Sequence, residues 1–207
     1  MSANEHLVTT MEQLDALYGE KNPNSIAKEI DYINDGYRKL IEAAPFVAIA
    51  TCGPEGLDCS PKGDPKGFVR ILDDKTLAIP DRPGNNRLDG FRNILRDPRI
   101  ALLFLIPGVG ETMRVNGRAS ISIEPELMQS FAINGKLPRS VLVVHIESIY
   151  FHCSKAIVRS KLWDPATQID RQSLPSTGTI IAELSKGKLG GDAYDREAPE
   201  RIKAQLY

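Results

Sequence analysis

Between residues 46 and 152 apolar and polar positions alternate in short runs, broken by turn-forming residues. Period-two runs of this kind mark half-buried strands, because successive side chains on an extended backbone point to opposite faces. FVAIATC, LDCSP, GFVRIL, TLAIP, RIALLFLIP, ETMRVNGRASISI and RSVLVVHIESIYFHC read as strands, joined by a GPEG turn, a DDK turn and other short connections. In ETMRVNGRASISI the split is clean. Met113, Val115, Ala119, Ile121 and Ile123 face one way, and Thr112, Arg114, Asn116 and Arg118 face the other. RIALLFLIP is apolar on both faces, which predicts a central strand or one at a subunit contact.

Other segments follow the helical period. Residues 87–96 predict a helix with Leu88, Phe91, Ile94 and Leu95 on its buried face, closed by Asp97-Pro98. EPELMQSFAI predicts a brief helix. Ahead of the strands, Asn24 or Ser25 can cap a helix running to Ala44, with Ile26, Ile30, Ile33, Tyr37, Leu40 and Ile41 on one stripe; Pro45 ends it. Residues 1–22 predict a short helical lead-in. After Trp163 the chain turns polar, with helices expected near 179–186 and 195–205. One helix among six or more antiparallel strands predicts a mainly β (α+β) chain, a small β-barrel with peripheral helices. The expected division is an N-terminal helical extension at 1–44, packed on the barrel or a partner, the barrel at 45–165, and a polar tail with short helices at 166–207.

Composition narrows the function classes. A hydrophobic fraction of 42% in 207 residues supplies a real core. The formal net charge of −1 and an aromatic content of 6% argue against nucleic-acid binding, even though Arg87, Arg92, Arg96 and Arg99 lie close together. ALLFLIPG is too short to span a bilayer, and MSANEHLVTTMEQ lacks the charged start and apolar centre of a secretion signal. A cytoplasmic chain with three reduced cysteines is the expectation, since Cys52 would face residue 57 across the GPEG turn rather than Cys59. His152 and Cys153 point to opposite faces and make a poor shared metal site. His145 and Glu147 share a face and are expected as a buried hydrogen-bonded pair.

The stretch IPDRPGNNRLDGF sets Arg82 and Arg87 where a helix amino terminus already carries positive character. Two readings stand. Asp81 and Asp89 can offset the charge in a solvated loop. Alternatively the loop is an anion site: Gly84 allows close backbone approach, Asn85 or Asn86 caps or donates, and both arginines fork onto phosphate oxygens.

Four segments in order, DCSPKGDPKGFVRILDD, IPDRPGNNRLDGFRNILRDPRIALLF, ETMRVNGRASIS and FHCSKAIVRSKLWDP, resemble the pyridoxamine 5'-phosphate oxidase-like flavoproteins of the FMN-binding split-barrel superfamily. The likeness is to the FMN-dependent branch of unassigned substrate and covers roughly residues 45–165. It implies a six-stranded antiparallel split barrel and a homodimer with FMN at the subunit interface. By position, Arg82, Asn85, Asn86 and Arg87 resemble the phosphate loop. Ser60, Lys62, Gly63 and Asp64 resemble the edge along the isoalloxazine ring, with Thr112 and Arg114 near its pyrimidine end. Lys155, Arg159 and Trp163 resemble a C-terminal segment that approaches the flavin, although a lone tryptophan is more often a packing anchor. Lys62, Arg114 or Lys155 would favour reduced flavin by standing near its N1/C2 side; an exposed lysine in a Pro-Lys-Gly turn is the other reading of Lys62.

The family's Arg-x-His element, which grips a substrate phosphate, has no counterpart after Trp163, which argues against vitamin B6 oxidation. The expected function is therefore FMN-dependent redox chemistry on a small substrate. NAD(P)H would be a transient donor, given that no Gly-x-Gly-x-x-Gly fingerprint occurs. The alternative is a non-catalytic holder of flavin, F420 or haem.

Overall fold

The computed structural model describes residues 6–206; the first five residues of the expected lead-in lie outside them. Seven strands form one antiparallel sheet: β1 Phe46–Gly53, β2 Gly56–Gly63, β3 Arg70–Asp73, β4 Thr76–Asp81, β5 Arg99–Leu105, β6 Thr112–Ser122 and β7 Ser140–His152. Their spatial order is β2-β1-β5-β6-β7-β4-β3. The seventh strand, beyond the six that the resemblance implies, is the four-residue edge strand β3.

Turn chemistry sets the register. Gly53 faces Gly56, and Cys52 faces Leu57, so Cys59 lies beside Ala50 and all three cysteines are free. In the long β6–β7 pair, Asn116 faces Ser148 but Gly117 faces Ile146, leaving Glu147 as the extra residue of a bulge. A Cβ on Gly117 would stand 2.0 Å from the His145 carbonyl oxygen, so this crossing requires glycine. His145 and Glu147 are exposed rather than forming the expected buried pair, because their face of β7 is open to solvent there.

One face of the sheet holds the core, including Val47, Ile49, Leu77, Ile79, Leu102, Phe104, Met113, Val115, Leu142 and Ile149. β5 is central, with Ile100, Leu102 and Phe104 inward. Its apolar second face is uncovered in the protomer, where Leu103 is 37% exposed beside Ala101. Ile123 passes the end of β6 and is exposed.

Helices α1 Met11–Tyr18, α2 Pro23–Ala27 and α3 Asp35–Ala43 precede the barrel. The single helix expected at 24–44 is therefore two. Residues between them run extended so that Ile30 exchanges both backbone hydrogen bonds with Ile149, and Asn34 then recaps the chain by accepting from Tyr37 N at 2.8 Å. Asn22, not Asn24 or Ser25, caps α2. From the expected stripe Ile33, Tyr37 and Ile41 are buried, and Ile26 is exposed.

α4 Asp89–Arg96 lies against β1, β2 and β6. It buries Ile94 and, unexpectedly, Asn93, whose amide donates to Thr51 Oγ1 at 3.2 Å. Phe91 is half-buried, whereas Leu88 and Leu95 face outward. α5 Pro125–Ser130 leads to β7, and α6 Lys155–Ser160 follows it. After 3₁₀ turns at Pro165–Thr167 and Arg171–Ser173, α7 Thr177–Leu184 and α8 Gly191–Leu206 pack on each other. Asp195 joins them by accepting from Ser176 Oγ and Gly178 N.

Among the described residues no ladder joins the sheet edges β2 and β3. Crossed ion pairs close the gap near them. Lys62 on β2 pairs with Asp81 at the end of β4, and Arg82 Nε donates to Asp64 Oδ2 at 2.9 Å. Opposite charges thus alternate across the split. No helix among the described residues is long and apolar enough to cross a membrane.

Candidate functional site

Strand periodicity turns Asp58, Ser60 and Lys62 of β2 toward the inner side of the sheet, beneath α4. The loop 82–88, between β4 and α4, forms the facing wall. Between them lies a cleft of about 420 Å³, lined by Ser60, Lys62, Gly63, Asp64, Phe68, Pro80, Arg82, Asn85 and Arg87 among others. A second hollow of about 200 Å³ adjoins it, sharing Lys62, Arg82, Asn85 and Arg87 and adding Asn86 and Arg139.

The charges differ between the two. The larger cleft carries Lys62, Arg82 and Arg87 against Asp58, Asp64 and Asp89. The smaller carries Lys62, Arg82, Arg87 and Arg139 against Asp81 alone. With Lys62, Arg82 and Arg87 each paired to a carboxylate, Arg139 supplies the excess of positive charge at the loop end.

The paradox of cations at the α4 amino terminus resolves locally. Leu88 provides no side-chain cap. Arg87 Nε donates to Asp89 Oδ2 at 2.5 Å, and this bond with its Coulombic attraction raises the guanidinium pKa. The Asp58 carboxylate comes from β2 to within 2.8 Å of where a Cβ on Gly90 would stand, so glycine there admits a second counter-charge. The loop is tied at both ends: Asn85 Oδ1 accepts from Arg87 N at 3.0 Å, and Asn86, held at φ +61°, accepts from Arg139 Nη1 at 2.5 Å. Asparagine tolerates that left-handed backbone better than most residues.

Ser60, Lys62, Gly63, Asp64, Arg82, Asn85, Asn86 and Arg87 thus come together as the sequence suggested. Two of their cations are engaged otherwise than expected. Lys62 is held by Asp81 and lies 5.3 Å from the Phe91 ring centroid, while Arg82 also donates to the Phe131 carbonyl at 2.8 Å.

The remaining candidates form a second group. Thr112 and Arg114 are on the opposite face of β6, where Arg114 donates to Asn116 Oδ1 at 3.1 Å and lies 5.6 Å from the Tyr150 ring. Lys155 and Arg159 are exposed on α6, and neither lines the cleft. Trp163 is half-buried, its indole N–H donating to the Val109 carbonyl at 2.8 Å, which is the anchoring geometry. A protomer does not unite this group with the cleft.

Arg139 escaped the sequence reading. It lies 53 residues from Asn86, and only the pairing of Asp81 with Ser140 in the β4–β7 ladder brings it to the loop. No group of three metal-ligating side chains with metal-site geometry occurs among the described residues.

The sequence profile of the pyridoxamine 5'-phosphate oxidase family matches residues 33–153, more than half of the chain and the whole sheet up to the end of β7. The chain belongs to that family, and its architecture is the family's split barrel with added terminal helices. No curated protein matches it. Among solved structures it is similar to HupZ of Group A Streptococcus at 23% identity, covering 59% of this chain and 95% of that one with a TM-score of 0.47. A protein of Lactobacillus delbrueckii described as a candidate pyridoxamine 5'-phosphate oxidase shares 19% identity over 58% of this chain and 95% of its own, TM-score 0.46. An FMN-binding protein of Syntrophomonas wolfei shares 15% over 55% and 86%, TM-score 0.41.

Proposed function

We propose that the chain is an FMN-dependent oxidoreductase acting on a small substrate, as a homodimer with two flavin sites at the subunit interface. The observation that carries this reading is the basic hollow at the end of a longer, charge-balanced cleft, in a chain of this family. A phosphate fits the first, where Arg139 adds a cation to the paired Lys62, Arg82 and Arg87. A flat, largely uncharged ring fits the second, where Pro61, Phe68 and Pro80 offer apolar surface between polar edges. When bound, FMN would supply a ring that accepts and returns a hydride. The chain's own part is to anchor the phosphate, present the β2 edge Ser60–Asp64 along the ring and limit access of water.

Two further features support a dimer. The outer face of β1 and β5 presents Phe46, Ala48, Ala50, Ala101 and Leu103 without cover, in a patch bordered by Arg114 and Asn116. The second group of candidates, Thr112, Arg114, Lys155, Arg159 and Trp163, can meet a flavin held in the cleft if it comes from the other copy. A cytoplasmic location accords with three free cysteines.

Apoprotein is expected to take up FMN with quenching of its fluorescence and to sediment as a dimer. Anaerobic NAD(P)H should bleach the bound flavin, and an added acceptor should restore the colour. Leu103→Arg should yield a monomer that binds FMN weakly. Protein that takes up no FMN would overturn the reading.

A second reading is favoured by one observation: Lys62, Arg82 and Arg87 are each engaged in an ion pair with a carboxylate, an arrangement that serves holding a ligand as well as reacting with it. A non-catalytic flavin holder would bind FMN identically and fail only the bleaching and reoxidation test.

A further inference from the structure

We infer that Arg139 is a principal anion ligand of this site, engaging the phosphomonoester end of the bound molecule together with Arg87; the inference rests on the FMN reading and extends it. The four cations of the basic hollow are not equivalent. Lys62 and Arg82 belong to the crossed ion pairs that close the split, and Arg82 also binds the Phe131 carbonyl. Withdrawing either toward a ligand would break an ion pair whose carboxylate is largely enclosed, the Asp81 side chain being 12% exposed and that of Asp64 2%.

Arg139 carries no such duty. Among the described residues no carboxylate pairs with it, and its guanidinium is oriented by a neutral acceptor, Asn86 Oδ1. Its backbone is fixed, since Arg139 N donates to the Asp81 carbonyl at 2.9 Å and Ser140 then enters the β4–β7 ladder. One face of the guanidinium fork is thus used for placement, and the remaining donors are available to phosphate oxygens. The Arg87 side chain is exposed and, among the described residues, pairs with Asp89, in a pair that costs little to exchange. The phosphate ligands are therefore supplied from two sides, by the loop and by the start of β7.

FMN and riboflavin differ by the phosphate alone, so their affinity ratio reads this contact. With apoprotein, Arg139→Met should lower FMN affinity by roughly ten- to a hundredfold, as expected for a lost charge-assisted hydrogen bond, and leave riboflavin affinity unchanged. Arg139→Lys should restore part of the difference, and a thermal melt controls for folding. An unchanged FMN-to-riboflavin ratio in a folded Arg139→Met variant would overturn the inference while leaving the flavin reading intact. If the wild-type chain binds neither flavin, the flavin reading fails by itself. Titration with inorganic phosphate, followed by the Arg139 Nε–Hε resonance, then decides: a saturable shift supports the anion site, and no shift removes it.

Discussion

Gly117 shows how little room the β6–β7 crossing leaves. Its missing side chain accommodates the His145 carbonyl, which the bulge at Glu147 pushes inward. Gly117→Ala is expected to destabilise the fold by about 1–3 kcal/mol, because the clash is with backbone and only a shift of the ladder relieves it; urea unfolding of the two proteins measures it. His152, at the far end of β7, responds to pH. Burial chiefly, with Arg114 and Lys28 adding repulsion, lowers its pKa below the ordinary 6.5. The unfolded chain then binds the proton more readily than the folded one, so stability is complete above the unfolded pKa and falls as pH drops through the window below it. His152→Gln should flatten that part of the stability–pH profile, and the His152 imidazole resonances of the folded wild type should titrate below 6.5.

At the scale of elements, α4 tests what helical periodicity can say. The spacing predicts Leu88, Phe91, Ile94 and Leu95 on one buried face, but the helix is rotated so that Asn93 and Ile94 go inward and Leu95 is 76% exposed. The cause is a polar contact that hydrophobicity does not register, the Asn93 amide on Thr51 Oγ1. Ile94→Ala should cost about 2–4 kcal/mol, and Leu95→Ala less than about 0.5 kcal/mol, in thermal or urea unfolding. Strand positions were legible for a simpler reason: with a period of two, the turn at Pro54-Glu55 and the alternation along β6 each fix a register without further information. The 24–44 segment forms two helices rather than one because its apolar stripe suits a helix as well as a chain that leaves helical geometry to bridge Ile149.

In the whole molecule, what decides the site is long-range pairing that single-sequence reasoning cannot supply. The loop residues from Arg82 to Arg87 were visible through their local excess of donors beside a Pro-Gly turn. Arg139 was not, since nothing near it in sequence marks it; it reaches the loop only through a ladder between β4 and β7. Likewise the partners of Lys62 and Arg82 could not be read from spacing, and with them went the distinction between cations that hold the barrel together and cations available to a ligand. Asp64→Asn tests that distinction. The Asp64 side chain is 2% exposed and that of Arg82 17%. Neutralising the carboxylate should cost about 2–3 kcal/mol, somewhat under the value for a fully enclosed pair because Arg82 keeps some water contact; equilibrium urea unfolding gives the number.

The uneven distribution of charge between the two adjoining hollows has a directional effect. A long molecule with one anionic terminus gains most when that terminus lies against the start of β7, and gains little when reversed, since the other end of the cleft is balanced in charge. Polarity alone thus sorts head from tail before any close packing occurs.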